Sequence, residues 1–340
     1  MNMTFDQERQ HLLKRLNHLI DCSDQMYEDF ILHLFHFQYK YNKVYASFVN
    51  NLEVKAKEIA LGSDIPFLPI SAFKHHQVKT GDFTAFEVFK SSGTMSTELR
   101  SEHHVREVDL YLSHTIQIWN HYFNPVNTWC FLALLPGYTE RGHSSLIKMV
   151  GNFISKSPYE ESGFYLNNHR ELMDTLQRCK QKSIPTVLFG VTYALLDFIN
   201  KYSIDFPDLM VMETGGMKGL KEELTKIELH QLLAGGFNVQ HIYSEYGMTE
   251  LLSQVYAANQ VFKTNPFFKV DIKQMNDPLQ AEKTGKPGIV CITDAANIDS
   301  CCFIQTEDVG ILHASEQFEL IGRLDAAELR GCNLLMVDII

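Results

Sequence analysis

Between Phe5 and Glu58 the apolar residues recur at helical spacing. Leu12, Leu13, Leu16 and Leu19 form one series, and Phe30, Ile31, Leu34 and Phe35 form another. This pattern predicts two or three helices, which Pro66 and Pro69 bring to an end. Strand-like and helix-like segments then alternate. The helix-like ones are 101–123, 143–154, 168–181, 191–202 and 218–234; the strand-like ones are 129–135, 186–190, 209–212 and 239–243. Such alternation predicts right-handed βαβ crossovers and a mainly parallel sheet flanked by helices. In the last third the apolar runs shorten to 290–293, 302–305, 311–313 and 318–321, with Gly, Asp and Asn between them, which predicts a small antiparallel β subdomain. The expected fold class is therefore α/β. A helical N-terminal preface over 1–80 packs on an α/β core over 81–275, and a small C-terminal β subdomain occupies 276–340. Residues 276–288 are the best loop candidate, and no internal repeat or low-complexity tract is present.

Composition narrows the class. A chain of 340 residues that is 45% hydrophobic and 21% charged can bury a large core. A net charge of −11 speaks against nucleic acid as a partner, because phosphate binding needs a basic surface. The seven cysteines are odd in number and irregularly spaced, which fits neither a disulfide framework nor a zinc site. The N-terminus is polar and no apolar run approaches about eighteen residues, so neither export nor a membrane span is expected. These features together suit a cytoplasmic enzyme.

Four short strings carry candidate chemistry. Ser91, Ser92, Gly93 and Thr94 follow the apolar stretch Phe83 to Phe89 and precede a segment read as helix. Backbone N–H groups and hydroxyls at such a turn cradle a polyphosphate, unless the string is a plain surface turn. The spacing of a Walker loop is absent. In Tyr246-Gly-Met-Thr-Glu250, Gly247 lets the backbone approach a ligand, Thr249 offers a hydroxyl to phosphate and Glu250 is a hard oxygen ligand for Mg²⁺. The alternative is a capped turn with Glu250 opening a helix. Asp308, read as lying in a loop, is suited to a ribose diol or is a solvated turn carboxylate. Arg323, just past the apolar run Phe318 to Ile321, reaches a phosphate or ribose oxygen or forms a surface ion pair.

His103, His104 and His143 stand near these strings and are open to a role facing an acyl-phosphate or to a structural one. Gly142-His-Ser-Ser145 lacks the Gly-x-Ser-x-Gly of a nucleophile elbow, which argues against a serine hydrolase. Trp129, Phe131 and Phe189 are read as core rather than as the lining of an acyl tunnel.

The order Ser-Ser-Gly-Thr, Glu-Tyr-Gly-Met-Thr-Glu, Thr-x-Asp-x-Gly and Gly-Arg-x-Asp resembles the adenylate-forming superfamily. The length, the segment Leu134-Leu-Pro-Gly-Tyr-Thr-Glu-Arg-Gly-His-Ser-Ser145 and the ending Glu328-Leu-Arg-Gly-Cys-Asn-Leu334 are similar to the acyl-protein synthetase family of the LuxE type. The resemblance covers roughly Phe86 to Leu335. It implies the N-terminal core of an adenylate-forming enzyme, which uses ATP and Mg²⁺ to turn a carboxylic acid into an acyl-adenylate; a fatty acid is the expected substrate, although the residues do not separate a fatty from an aryl acid. It also implies roles: Ser91, Ser92, Gly93 and Thr94 on the triphosphate, and Thr249 and Glu250 on phosphate and Mg²⁺. Gly215, Gly216 and Tyr246 would flank the adenine, with Asp308 and Arg323 on the ribose.

The departures carry expectations too. Met95-Ser96 replaces the usual Thr-Gly, the nearby Lys is absent, and the spacing after Asp325 is not kept. The chain stops at Ile340, without the superfamily's mobile C-terminal domain and its catalytic Lys. In the LuxE type a cysteine near the C-terminus captures the acyl group, and Cys332 occupies the matching place, with Arg330 beside it to favour the thiolate. The alternative for Cys332 is a small buried apolar residue. Two other functions stay open: a ligase that passes the acyl group to CoA or a carrier protein together with a partner, and a non-catalytic nucleotide-binding subunit.

Overall fold

The computed structural model describes residues 3–91, 99–135, 143–215, 224–313 and 316–324. They divide into two units. The first comprises the described residues of Met1–Tyr111, Met248–Ser253 and Lys263–Ile340; the second comprises those of Leu112–Gly247 and Gln254–Phe262.

The first unit begins with helices α1 (Phe5–Leu16), α2 (Asp24–Tyr41) and α3 (Lys43–Asn51). Thr4 and Gln7 close a capping box on α1, and Ser23 and Asn42 cap α2 and α3, so each start satisfies a backbone N–H locally. α2 buries Phe30, Ile31, Leu34, Phe35 and Phe37, the helical series legible in the sequence. Two polar side chains tie these helices to the loop 297–302. Gln38 Nε2 donates to the Asn297 carbonyl at 2.9 Å and its Oε1 accepts the Cys302 N–H at 2.8 Å; Asn42 Nδ2 donates to the Ser300 carbonyl at 2.7 Å. Arg9 adds a two-pronged pair with Asp299, both contacts at 2.6 Å.

Next come β1 (Leu68–Pro69), α4 (Ala72–His75), and the antiparallel hairpin β2 (Glu87–Lys90) and β3 (Glu102–Val105). The stretch read from sequence as the start of a helix at Ser101 is therefore a strand. Its side chains alternate, burying His103 and Val105, and helix α5 (Val108–Tyr122) starts only afterwards. α5 begins in the first unit and continues into the second.

The second unit holds the α/β alternation: β4 (Cys130–Leu134), α6 (Ser145–Lys156), β5 (Gly163–Phe164), α7 (His169–Gln181), β6 (Thr186–Val191), α8 (Thr192–Lys201), β7 (Met210–Thr214), α9 (Lys226–Phe237), β8 (Ile242–Tyr246), β9 (Val255–Ala258) and β10 (Val261–Lys263). Strands β5, β4, β6, β7 and β8 are neighbours in that order and all parallel, and β9 and β10 extend them antiparallel. β4, β6 and β7 are buried along their whole length, as a parallel strand covered on both faces requires. α6 packs on β4, α8 on β6 and β7, and α9 on β8. Trp119 of α5 centres the aromatic core, with ring centroids 5.2 Å from Phe131, 5.4 Å from Phe153 and 6.0 Å from Phe189. Phe131 and Phe189 are thus core, while Trp129 is half-buried.

The chain returns to the first unit as an antiparallel sheet of β11 (Phe268–Lys273), β12 (Pro287–Asp294), β13 (Phe303–Leu312) and β14 (Gln317–Arg323), with β1 parallel to β13. The segments 302–305 and 311–313 turn out to be parts of one strand, β13. Asp308 consequently lies inside a strand rather than in a loop: the register with β12 shifts across the polar run Thr306 to Asp308, but Asp308 is paired with Arg323 of β14 and the strand resumes its pairing with β12 at Val309.

Candidate functional site

Just past the end of β2 and just ahead of β3, Ser91 and Ser101 form a reciprocal pair. Ser91 N–H donates to the Ser101 carbonyl at 3.1 Å, and Ser101 N–H donates to Ser91 Oγ at 3.1 Å. Ser92, Gly93 and Thr94 lie outside the described residues. Ser101 is buried and also hydrogen-bonds the carboxylate of Glu250, which is itself 6% exposed. Burial pushes the Glu250 carboxyl above the ordinary range, and the charge of Glu307 adds to this; the Ser101 bond and Lys74 oppose it.

Lys74 continues the network outward. It stands 3.8 Å from Glu307, which pairs with Arg323 at 3.1 Å; Arg323 Nε lies 3.2 Å from Asp308. Asp308 is buried, and its N–H donates to Thr306 Oγ1 at 3.0 Å. Arg323 is about half exposed, with its side chain at 51%. Thr249 is anchored through its carbonyl to His103 Nδ1 at 3.0 Å. Burial holds His103 neutral, with its pKa lowered to about 4, so Nδ1 carries the donated hydrogen. In the first unit, then, Ser91 is joined through Ser101 to Glu250, Asp308 is joined through Arg323 and Glu307 to Lys74, and the charges of Lys74 and Glu307 act on Glu250; Thr249 is held beside it through its carbonyl. The linking members, Lys74, Ser101 and Glu307, carried no signal in the sequence.

The second unit contributes a separate set at the carboxyl ends of its parallel strands, where ligands of such sheets bind. Gly215, directly after β7, has φ +85°, a conformation that disfavours any side chain. Thr214 donates its hydroxyl to Glu245, the residue beside it on β8. Burial raises the Glu245 carboxyl to about 7, and the charge of Glu213 pushes the same way against the Thr214 bond. Glu213 is buried and is held by the Thr192 hydroxyl, Lys226 and Ser244. Tyr246 ends β8 with its ring 5.7 Å from Phe262. A Cβ on Gly247 would lie 2.6 Å from Glu245 Oε1, so the glycine leaves room for that carboxyl. Gly216 and Cys332 lie outside the described residues, as does Asp325. His143 is exposed ahead of α6.

Among the described residues no group of three or more His, Cys, Asp or Glu side chains forms a metal cage. One buried carboxylate flanked by hydroxyls nonetheless suits Mg²⁺, which keeps most of its ligands from substrate phosphates and water. Glu250 with Ser101 is such a donor set. No described helix is long and apolar enough to cross a membrane.

The architecture is that of the adenylate-forming ligases, as solved structures bear out. An open conformation of 2-hydroxyisobutyryl-CoA ligase, bound to 2-HIB-AMP and CoA, aligns with a TM-score of 0.65 at 10% identity, covering 91% of this chain and 78% of that one. ATP-bound MatB from Rhodopseudomonas palustris aligns with a TM-score of 0.53 at 13% identity, covering 69% of this chain and 47% of that one. No curated protein matches in sequence. The family description "Acyl-protein synthetase, LuxE" matches residues 14–340. The chain belongs to the acyl-protein synthetase (LuxE) family and is an ATP-dependent, acyl-adenylate-forming enzyme.

Proposed function

We propose that this enzyme activates a fatty acid and transfers the acyl group to its own Cys332. The carboxylate oxygen of the acid attacks the α-phosphorus of ATP, the bond from that phosphorus to the bridging oxygen breaks, and pyrophosphate leaves. The Cys332 thiolate then attacks the acyl carbonyl, AMP departs, and a thioester remains. The observation that carries the reading is the network around Glu250, because the four strings contribute to it although they are far apart along the chain.

Ser91, Ser92, Gly93 and Thr94 bind the triphosphate, and Thr249 orients it. Gly215, Gly216, Tyr246 and Gly247 border the adenine, and Asp308 with Arg323 receives the ribose. Mg²⁺ held by Glu250 supplies charge neutralisation on the phosphates when bound. The chain's own part is electrostatic: hydroxyls and N–H groups set in advance where charge builds up.

Intact mass after incubation with ATP, Mg²⁺ and a panel of fatty and aryl acids tests this. The expected result is an acyl adduct that neutral hydroxylamine removes and Cys332→Ser lacks. An adduct that survives in Cys332→Ser moves the capture to another residue. No adduct with any acid discards self-acylation; thioester formation on added CoA or a carrier protein would then identify the acceptor.

A further inference from the structure

The segment Met248–Ser253 carries Thr249 and Glu250. It belongs to the first unit, although the strands on either side of it, β8 and β9, lie in the second. Side chains outside the four strings hold its backbone. Asn297 Nδ2 donates to the Glu250 carbonyl at 2.8 Å and to the Cys301 carbonyl at 3.0 Å, while its Oδ1 accepts the Leu252 N–H at 3.1 Å. Asp294, at the end of β12, accepts four hydrogens. The N–H groups of Leu252 and Ser253 reach Oδ2 at 2.8 and 2.9 Å; the Ser253 hydroxyl and the Ala296 N–H reach Oδ1 at 2.6 and 3.0 Å.

A carboxylate suits this position as its amide would not. Asn in place of Asp294 turns one oxygen into a donor and sets it against at least one backbone N–H. Both Asp294 and Asn297 are fully buried, so water cannot substitute for the lost acceptor. The burden of a desolvated carboxylate is thus tied to the geometry of one six-residue segment, the one that presents Glu250.

We propose that Asp294 and Asn297 are positioning residues of the nucleotide site: they fix the backbone of residues 250–253 and with it the direction in which Glu250 presents its carboxylate. The inference rests on the reading of Glu250 as the carboxylate that faces Mg²⁺. Outer partners of a metal ligand commonly matter to metal affinity or activity by about 10- to 100-fold.

Two measurements separate the inference from that reading. Amide hydrogen exchange on the full chain, without substrate, reads the clasp directly. The Leu252 and Ser253 amides are expected to be protected in the wild type, and Asp294→Asn to speed their exchange by roughly tenfold or more while β4 and β6 keep theirs. Acid-dependent ATP–pyrophosphate exchange, titrated with Mg²⁺, reads the consequence. Asp294→Asn and Asn297→Ala are expected to raise the half-saturating Mg²⁺ by about 10- to 100-fold and to leave the KM for the acid within about twofold. A purely structural role would not divide the two constants in this way. Should Asp294→Asn fail to fold, Asn297→Ala carries the same expectation. Leu252 and Ser253 amides that exchange freely in the wild type overturn the clasp whatever the activity. Unchanged Mg²⁺ dependence of an active variant overturns the positioning role. A protected segment in a wild type that performs no acid-dependent exchange refutes the functional reading, and the positioning role falls with it.

Discussion

Asp308 and Arg323 are cross-strand partners on β13 and β14, with Arg323 Nε 3.2 Å from the Asp308 carboxylate. Because the Arg323 side chain is about half exposed, the pair itself is worth under about 1 kcal/mol of stability. Arg323→Ala should therefore leave the thermal midpoint almost unchanged. If the pair receives the ribose, the same change should raise the KM for ATP by roughly tenfold, the worth of one charge-assisted hydrogen bond. Initial-rate kinetics alongside a thermal scan check both; an unchanged KM would leave Arg323 as a surface ion pair.

Glu250→Gln keeps the size of the side chain and its bond to Ser101 but removes the charge. The fold should survive, since burial already disfavours the ionised form. Adenylate formation should fall by roughly 100-fold or more. Single-turnover acyl-adenylate formation with a thermal midpoint on the same sample tests this, and activity within about threefold of wild type would remove Glu250 from the site.

Glu245 and His103 shift in opposite directions and give a signed pH dependence. The Glu245 carboxyl titrates at about 7 in the folded chain against an ordinary value of 4.5. The folded state therefore binds the extra proton between these values. The resulting stability is full below pH 4.5 and is lost as pH rises through 7. His103 titrates at about 4 instead of 6.5, so its contribution is present above pH 6.5 and is lost as pH falls towards 4. The two contributions oppose each other over the same window of about pH 4.5–6.5, so Glu245→Gln should make stability rise more steeply with pH there, and His103→Gln should leave it falling as pH rises. Thermal midpoints from pH 4 to 8.5 read both slopes.

Gly310 sits at the irregularity in the β13–β14 register, two residues from Asp308. A Cβ there would lie 2.7 Å from the Glu319 carbonyl oxygen and 2.8 Å from Val290 Cγ2. Gly310→Ala should cost about 1–3 kcal/mol by overpacking. Gly235 in α9 has nothing within 4 Å of the same position, so Gly235→Ala should be neutral or stabilising by up to about 1 kcal/mol. Denaturant midpoints for the two variants should move in opposite directions or differ clearly in size.

The parallel strands β4, β6 and β7 were legible because burial on both faces writes continuous apolar runs such as Cys130–Leu134, separated by amphipathic helices, whereas the two-residue β5 is too short to leave such a run. The order of the four strings likewise carried the family. Strand β13 is not legible as one element because Thr306, Glu307 and Asp308 interrupt its apolar pattern and its register with β12 shifts there; pairing at Gln305 before the run and at Asp308 and Val309 after it keeps it a single strand. β11 was overlooked although Phe268, Val270 and Ile272 alternate inward, a signal that a period-two count would have found. Lys74, Ser101, Asp294 and Asn297 could not be read at all. Each acts on residues 40 to more than 200 positions away, and only the topology brings them together.

Acid-dependent exchange of labelled pyrophosphate into ATP bears most directly on whether this chain makes acyl-adenylates through Glu250. The wild type should exchange label only when a suitable carboxylic acid and Mg²⁺ are both present, Cys332→Ser should do so as well, and Glu250→Gln should not. Wild-type protein that binds ATP yet exchanges nothing with any acid, or Glu250→Gln that exchanges like the wild type, would contradict it.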